Sequence, residues 1–165
     1  MNPSPAWKRA KVITIWQPYA SLIAMGIKTI ETRYWGTHYR GPIVVHAAKR
    51  CDIDIAIECR RAAEWIAENN IQLPESLERF SVPEPLMGHA LGWCELADCL
   101  RVPPQGWTPG KEASEADFEF GDLSPGRFAW KLGPFHPFPG PIAAKGQQGL
   151  WDWPYELPGW EASNP

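Results

Sequence analysis

Gly26-Ile27-Lys28-Thr29-Ile30-Glu31-Thr32-Arg33 is the stretch on which the reading of this chain turns. It places three charged side chains within six residues, between an apolar segment that reads as a helix and one that reads as a strand. A strand over 29–35 puts Thr29, Glu31 and Arg33 on one face and Ile30, Thr32 and Tyr34 on the other. Lys28 falls at the helix-to-strand corner, able to lean over the charged face. Charges so placed are either a solvated edge or the floor of a site.

Upstream, residues 12–15 read as a β-branched strand, and Gln17-Pro18 opens a helix that Gly26 closes. Downstream, Trp35-Gly36-Thr37-His38 is a turn, and Arg40-Gly41-Pro42 leads into a strand at 43–47 ending near Lys49-Arg50. Residues 52–69 carry Ile55, Cys59, Ala62, Ala63 and Ile66 at helical spacing, and a second short helix is predicted over 74–80. A long strand follows at 87–102, bent at Gly88 or Gly92. Residues 103–125 read as a surface loop, acidic over 111–122, that could close as a flap. Strands at 126–132 and 138–143 and an aromatic clamp at 150–153 complete the pattern. The elements predict an α+β chain: a small β-barrel of five to six strands, a helix after the first strand and a helical insertion. A single domain over 1–165 is expected, with its core at about 12–153 and loose ends at 1–9 and 154–165.

The 165 residues are 44% hydrophobic and 21% charged, enough for a real core. There is no long apolar run and no signal-like start, so a soluble cytoplasmic protein with no membrane role is expected. Cys51, Cys59, Cys94 and Cys99 lack C-x-x-C spacing. They read as reduced thiols, with no metal site and no cofactor implied. Residues 1–50 hold eight Lys or Arg against one acid, Glu31; the remainder holds eight basic and eighteen acidic residues. A local basic surface is therefore available, although the net charge of −3 argues against a general nucleic-acid coat. Ten of the twenty aromatic residues are Trp, mostly for core packing.

Taken in order, Ile15-Trp16-Gln17-Pro18-Tyr19-Ala20, the Gly26–Arg33 stretch, Tyr39-Arg40-Gly41-Pro42, His46-Ala47-Ala48-Lys49, Gly126-Arg127-Phe128-Ala129-Trp130 and Gly149-Leu150-Trp151 resemble the ASCH domain family. That family is a branch of the PUA-like superfamily, and its G-x-K-x-x-E-x-R pattern is met by Gly26, Lys28, Glu31 and Arg33. The resemblance spans roughly residues 12–153. It implies a PUA-like pseudo-barrel with a cleft between barrel and first helix, lined by the motif residues. It also implies RNA or modified-nucleoside binding, with N4-acetylcytidine amidohydrolase or ribonuclease activity as enzymatic alternatives on the same scaffold.

In the acetylcytidine-hydrolysing subgroup a threonine stands three residues after the lysine. This chain has Glu31 there, and a carboxylate beside an ammonium favours the charged form, which works against a nucleophilic amine. The expected mode is therefore recognition by Lys28, Glu31 and Arg33, with Gln17 in the binding set, Trp35 as a stacking ring, and Arg40 and Lys49 on the phosphate backbone. Lys28 and Glu31 are the catalytic candidates if the cleft is an enzyme's. Glu31 and Arg33 could equally form a structural ion pair, and Trp16 reads as core packing or an entry staple. His46 is assigned no catalytic role, and Glu95, an acid in an apolar strand, reads as a barrel-mouth salt bridge ahead of a general acid. A third class is a protein-interaction adaptor, which needs a flat apolar patch away from the motif.

Overall fold

The computed structural model describes residues 9–82 and 84–160. Its elements, in chain order, are β1 (Lys11–Ile15), α1 (Tyr19–Ala24), β2 (Ile30–Arg33), β3 (Gly41–Ala47), α2 (Ile53–Glu68), a 3-10 turn (Glu75–Phe80), β4 (His89–Arg101), α3 (Glu115–Glu119), β5 (Phe128–Leu132), β6 (His136–Ala143) and β7 (Leu150–Asp152). The strands form one mixed sheet in the order β2-β5-β4-β3-β1-β7, with β6 also paired to β4. The two sheet ends curl toward one another without a ladder between them, which makes an α+β pseudo-barrel. It has seven strands rather than five to six, because the 150–153 clamp pairs as a strand with β1.

Period-two alternation explains why both faces of the central strands are buried. Ile13, Ile15, Ile43 and Val45 face the main core with Leu22, Ile23, Leu91 and Trp130. Val12 and Val44 face a second core with Trp93, Phe138 and Trp153. β1 and β3 run parallel, Thr14 opposite His46, whereas β3–β4 and β4–β5 are antiparallel. β4 carries register shifts at Ala90/Gly92 and at Leu96/Asp98. At Gly92 a Cβ would stand 2.3 Å from the His136 carbonyl oxygen, so β6 can approach only a glycine.

Gln17 holds α1 in place. Its Oε1 accepts from the Ser21 amide at 3.0 Å and its Nε2 donates to the Leu86 carbonyl at 2.6 Å. The helix ends before Gly26, whose φ of 73° turns the chain into the motif. Asp52 caps α2 through the Ile55 amide at 3.1 Å.

Two expectations are corrected. Residues 154–160 are not loose: Leu157 is buried in the second core, Trp160 packs on it, and Trp93 Nε1 donates to the Pro158 carbonyl. At the other end Ala10 is fully buried and its carbonyl accepts from Trp153. Residues 1–8 and 161–165, also expected to be loose, lie outside the described residues. The acidic segment is not a free flap either. Ser114 and Asp117 form a capping box at α3, and Asp117 is buried against the start of β2. Among the described residues no helix is long and apolar enough to cross a membrane.

Candidate functional site

The Gly26 turn delivers Lys28, Glu31 and Arg33 to the open seam between β2 and β1. Glu31 is bracketed by two cations, with Lys28 Nζ 3.3 Å from its Oε2 and Arg33 Nε 3.0 Å from its Oε1. Lys28 also donates to the Ile30 carbonyl, and Arg33 Nη2 donates to the Thr14 carbonyl at 2.9 Å. The register is fixed from behind by Asp117. Its Oδ1 accepts from the Thr29 and Ile30 amides at 2.8 and 2.9 Å, and its Oδ2 from the Thr29 hydroxyl at 2.8 Å. Nothing in the loop composition of 103–125 signalled this anchor, but the Ser114-x-x-Asp117 spacing did carry a capping signature.

Glu31 and Arg33 lie at the base of a cleft of about 540 Å³ between the seam, α1, α2 and the α3 segment. Three arginines (Arg33, Arg61, Arg127) meet four carboxylates (Glu31, Glu58, Glu119, Asp122) in its lining. They neutralise one another. Arg61 pairs with Glu58 at 2.8 Å and with Glu119, and Arg127 pairs with Asp122 at 3.3 Å. The Arg61 guanidinium holds the Glu58 carboxyl below its usual range, and burial, aided by Glu58, pushes the Tyr19 hydroxyl up to about 12. A hydrogen bond from the Ser124 hydroxyl lowers Asp122. The lining therefore sets three arginines against four carboxylates, in pairs, and is close to charge-balanced. Such a surface suits a small polar ligand better than a bare polyanion.

The motif residues divide. Glu31 and Arg33 reach the cleft, whereas Lys28 lies beneath it with its side chain 1% exposed. Arg33 Nη1 makes no hydrogen bond among the described residues. Gln17 is buried and spent on α1, outside the cleft lining. Trp35 stacks edge-on against Trp130 at 4.8 Å, half-buried in the main core and away from the cleft lining. Arg40 is bound to Asp98 at 2.7 Å, also outside the cleft. Lys49 lines a separate depression. Two exposed rings line the cleft instead: Trp16, 52% exposed with the Arg50 guanidinium 4.0 Å above it, and Tyr34, 79% exposed. The place of Trp16 beside Gln17-Pro18 had suggested packing, because a tryptophan's exposure leaves no mark in sequence. Tyr19, Glu58 and Arg61 were also missed as cleft residues, although the i,i+3 spacing of the last two marks an ion pair on one helix face. His46 is buried, its Nε2 2.9 Å from the Ala144 carbonyl and its Nδ1 without a partner. Glu95 is exposed.

The family model of the ASCH domain matches residues 13–130. Among solved structures, the chain is similar to the crystal structure of ASCH from Zymomonas mobilis, at 13% identity and a TM-score of 0.48, covering 88% of each chain. A serine-to-alanine mutant of that protein gives 13% and 0.48, covering 88% of this chain and 89% of that one. A tyrosine-to-phenylalanine mutant gives 13% and 0.47, with 87% and 89% covered. No curated protein matches the chain.

Proposed function

The chain belongs to the ASCH domain family, and from that premise we propose that it is a cytoplasmic binder of RNA or of a single modified nucleoside, held in the Glu31–Arg33 cleft. One observation carries this reading: an acceptor and a free donor stand side by side in a cleft whose lining also holds exposed rings. A carboxylate has about four lone-pair sites; Lys28 donates to Glu31 Oε2, whereas Arg33 Nε faces Oε1 as an ion pair without a hydrogen bond. Glu31 can still accept from an exocyclic amine while Arg33 Nη1 donates to a base oxygen or nitrogen, which is the pattern of a nucleobase edge. Trp16, one face of which is covered by Arg50, supplies its other face for such a base to stack on, a contact that tolerates any base.

Catalysis through Lys28 is the weaker reading. Its amine is covered, donates to the Ile30 carbonyl and Glu31, and lies below the cleft surface. A nucleophile or base must reach the reacting atom. For the adaptor reading, the exposed large apolar side chains outside the cleft among the described residues are Ile53 and Ile57, one turn apart on α2, and Leu100 on β4. So few side chains on two elements fall short of a docking patch.

The test is a fluorescence-anisotropy titration of two single-stranded RNA ten-mers, one carrying a single N4-acetylcytidine, followed by mass spectrometry of the RNA. Wild-type protein is expected to bind and leave the RNA intact. Trp16→Ala is expected to weaken binding by about tenfold or more, given the ~1–3 kcal/mol of a stacked base, and Glu31→Gln by a similar factor. Deacetylation or chain cleavage that is lost in Lys28→Ala would overturn the reading in favour of an enzyme. Absence of binding, or cleft variants that bind as tightly as wild type, would also overturn it.

A further inference from the structure

At the C-terminal ends of the parallel strands β1 and β3 a second depression of about 780 Å³ opens beside the cleft. Its charged lining is Lys49, Arg50 and Lys145, with no carboxylate. Arg50 is engaged, paired with Asp52 and stacked over Trp16. Lys49 and Lys145 make no ion pair or hydrogen bond among the described residues. The Lys49 stem is not free to wander, because it lies along Gly88, 3.5–3.6 Å from where a Cβ on that residue would stand. The backbone amides of residues 145–148 likewise donate to no acceptor among the described residues.

The two concavities therefore have opposite characters. Every cleft arginine has a carboxylate partner, while the depression combines two unneutralised ammonium groups with a run of unused amides. The second arrangement suits an anion: cations supply the charge, and the unpaired amides of the lining loop are available as donors. Thr14 lines both concavities, and the Arg50–Trp16 stack joins their rims. A nucleotide has the same division, with a neutral hydrogen-bonding base on one side and an anionic phosphate on the other.

We propose that the depression is the phosphate subsite for the ligand whose base enters the cleft, so that the ligand is a nucleotide or an RNA phosphodiester rather than a free nucleoside. This rests on the nucleoside-binding reading, and the test separates the two. Wild type and the double variant Lys49→Gln/Lys145→Gln are compared in two titrations. In the first, pyrophosphate is added while backbone amide shifts are followed by NMR; shifts at 145–148 are expected in wild type and not in the double variant. In the second, a single-stranded RNA ten-mer is titrated at several salt concentrations. Losing two phosphate contacts should lower the slope of log affinity against log salt by about 1.4. RNA binding with an unchanged slope, and amides that do not respond to pyrophosphate, would overturn the subsite and leave the nucleoside reading standing. Pyrophosphate shifts that vanish in the double variant support the subsite even where no RNA binds, an outcome that overturns the nucleoside reading alone.

Discussion

Arg33 Nη2 donates to the carbonyl oxygen of Thr14 at 2.9 Å, and this contact ties the β2 end of the sheet to β1, which no ladder joins to it among the described residues. The Thr14 carbonyl is open to it because β7 stops pairing with β1 at Ile13. The pseudo-barrel is thus closed at this point by a side chain that also binds Glu31 and lines the cleft. Lysine has the charge but not the fork that serves both acceptors. Arg33→Lys is expected to cost about 1–3 kcal/mol, the worth of a charge-assisted hydrogen bond, read as a lower urea midpoint with an unchanged slope. An unchanged midpoint would show that the seam holds without the bridge.

Lys28 is a structural partner of Glu31, so its removal should be felt in stability before anything else. Lys28→Met leaves the Ile30 carbonyl and Glu31 Oε2 without their donor in a buried setting. Breaking a buried ion pair from one side typically costs about 3–5 kcal/mol, and Arg33 on the other oxygen places this case at the lower end. A double-mutant cycle with Glu31→Gln checks it. The expected coupling is about 1 kcal/mol or more, and additive effects would mean that the two side chains do not act as a pair.

What could be read from the chain was whatever repeats locally. The β-branched alternation at 12–15 and 43–47, the helical spacing of Ile55, Cys59 and Ala62, and Gly26 after an apolar turn each specify an element through neighbours a few residues away. The Glu31–Arg33 ion pair was legible for the same reason, since i and i+2 share a strand face. What escaped depends on partners far apart in sequence. Asp117 meets Thr29 across 88 positions, so an acidic loop composition concealed a buried anchor. Trp35 and Trp16 exchanged their expected settings because Trp130 arrives on β5 to cover one and nothing comparable covers the other.

Asp117 gives this long-range dependence a direct test. Asparagine keeps the shape and one accepting oxygen but turns the other into a donor. That sets an NH2 against the Ser114 amide, which now donates to Oδ2 at 3.2 Å. A lost buried hydrogen bond of this kind costs about 1–3 kcal/mol. Asp117→Asn is therefore expected to lower the urea midpoint, and hydrogen exchange at the Thr29 and Ile30 amides should accelerate more than in the β3–β4 ladder. Uniform acceleration would mean that Asp117 contributes to global stability without setting the motif strand locally.

His46 makes the stability of the β1–β3 end depend on pH. Burial lowers its pKa from the ordinary imidazole value; the Ala144 carbonyl opposes that shift and the charge of His89 adds to it. Nε2 sits 2.9 Å from that carbonyl, so the neutral ring donates there and leaves Nδ1 bare. The folded state binds a proton less readily than the unfolded chain, whose histidine titrates near ~6.5. The contribution is thus complete above about pH 6.5 and is lost as the pH falls toward the lower folded value. Wild type should show a urea midpoint that drops between about pH 7 and pH 5, and His46→Gln should show a shallower drop over the same range. Protonation also brings charge next to Trp151, whose ring stands edge-on to His46 at 6.1 Å and whose Nε1 lies 3.4 Å from the Thr14 hydroxyl. A Trp151 fluorescence change that tracks the midpoint in wild type and is absent from the variant would assign the titration to this site. Equal pH slopes in the two proteins would assign it elsewhere.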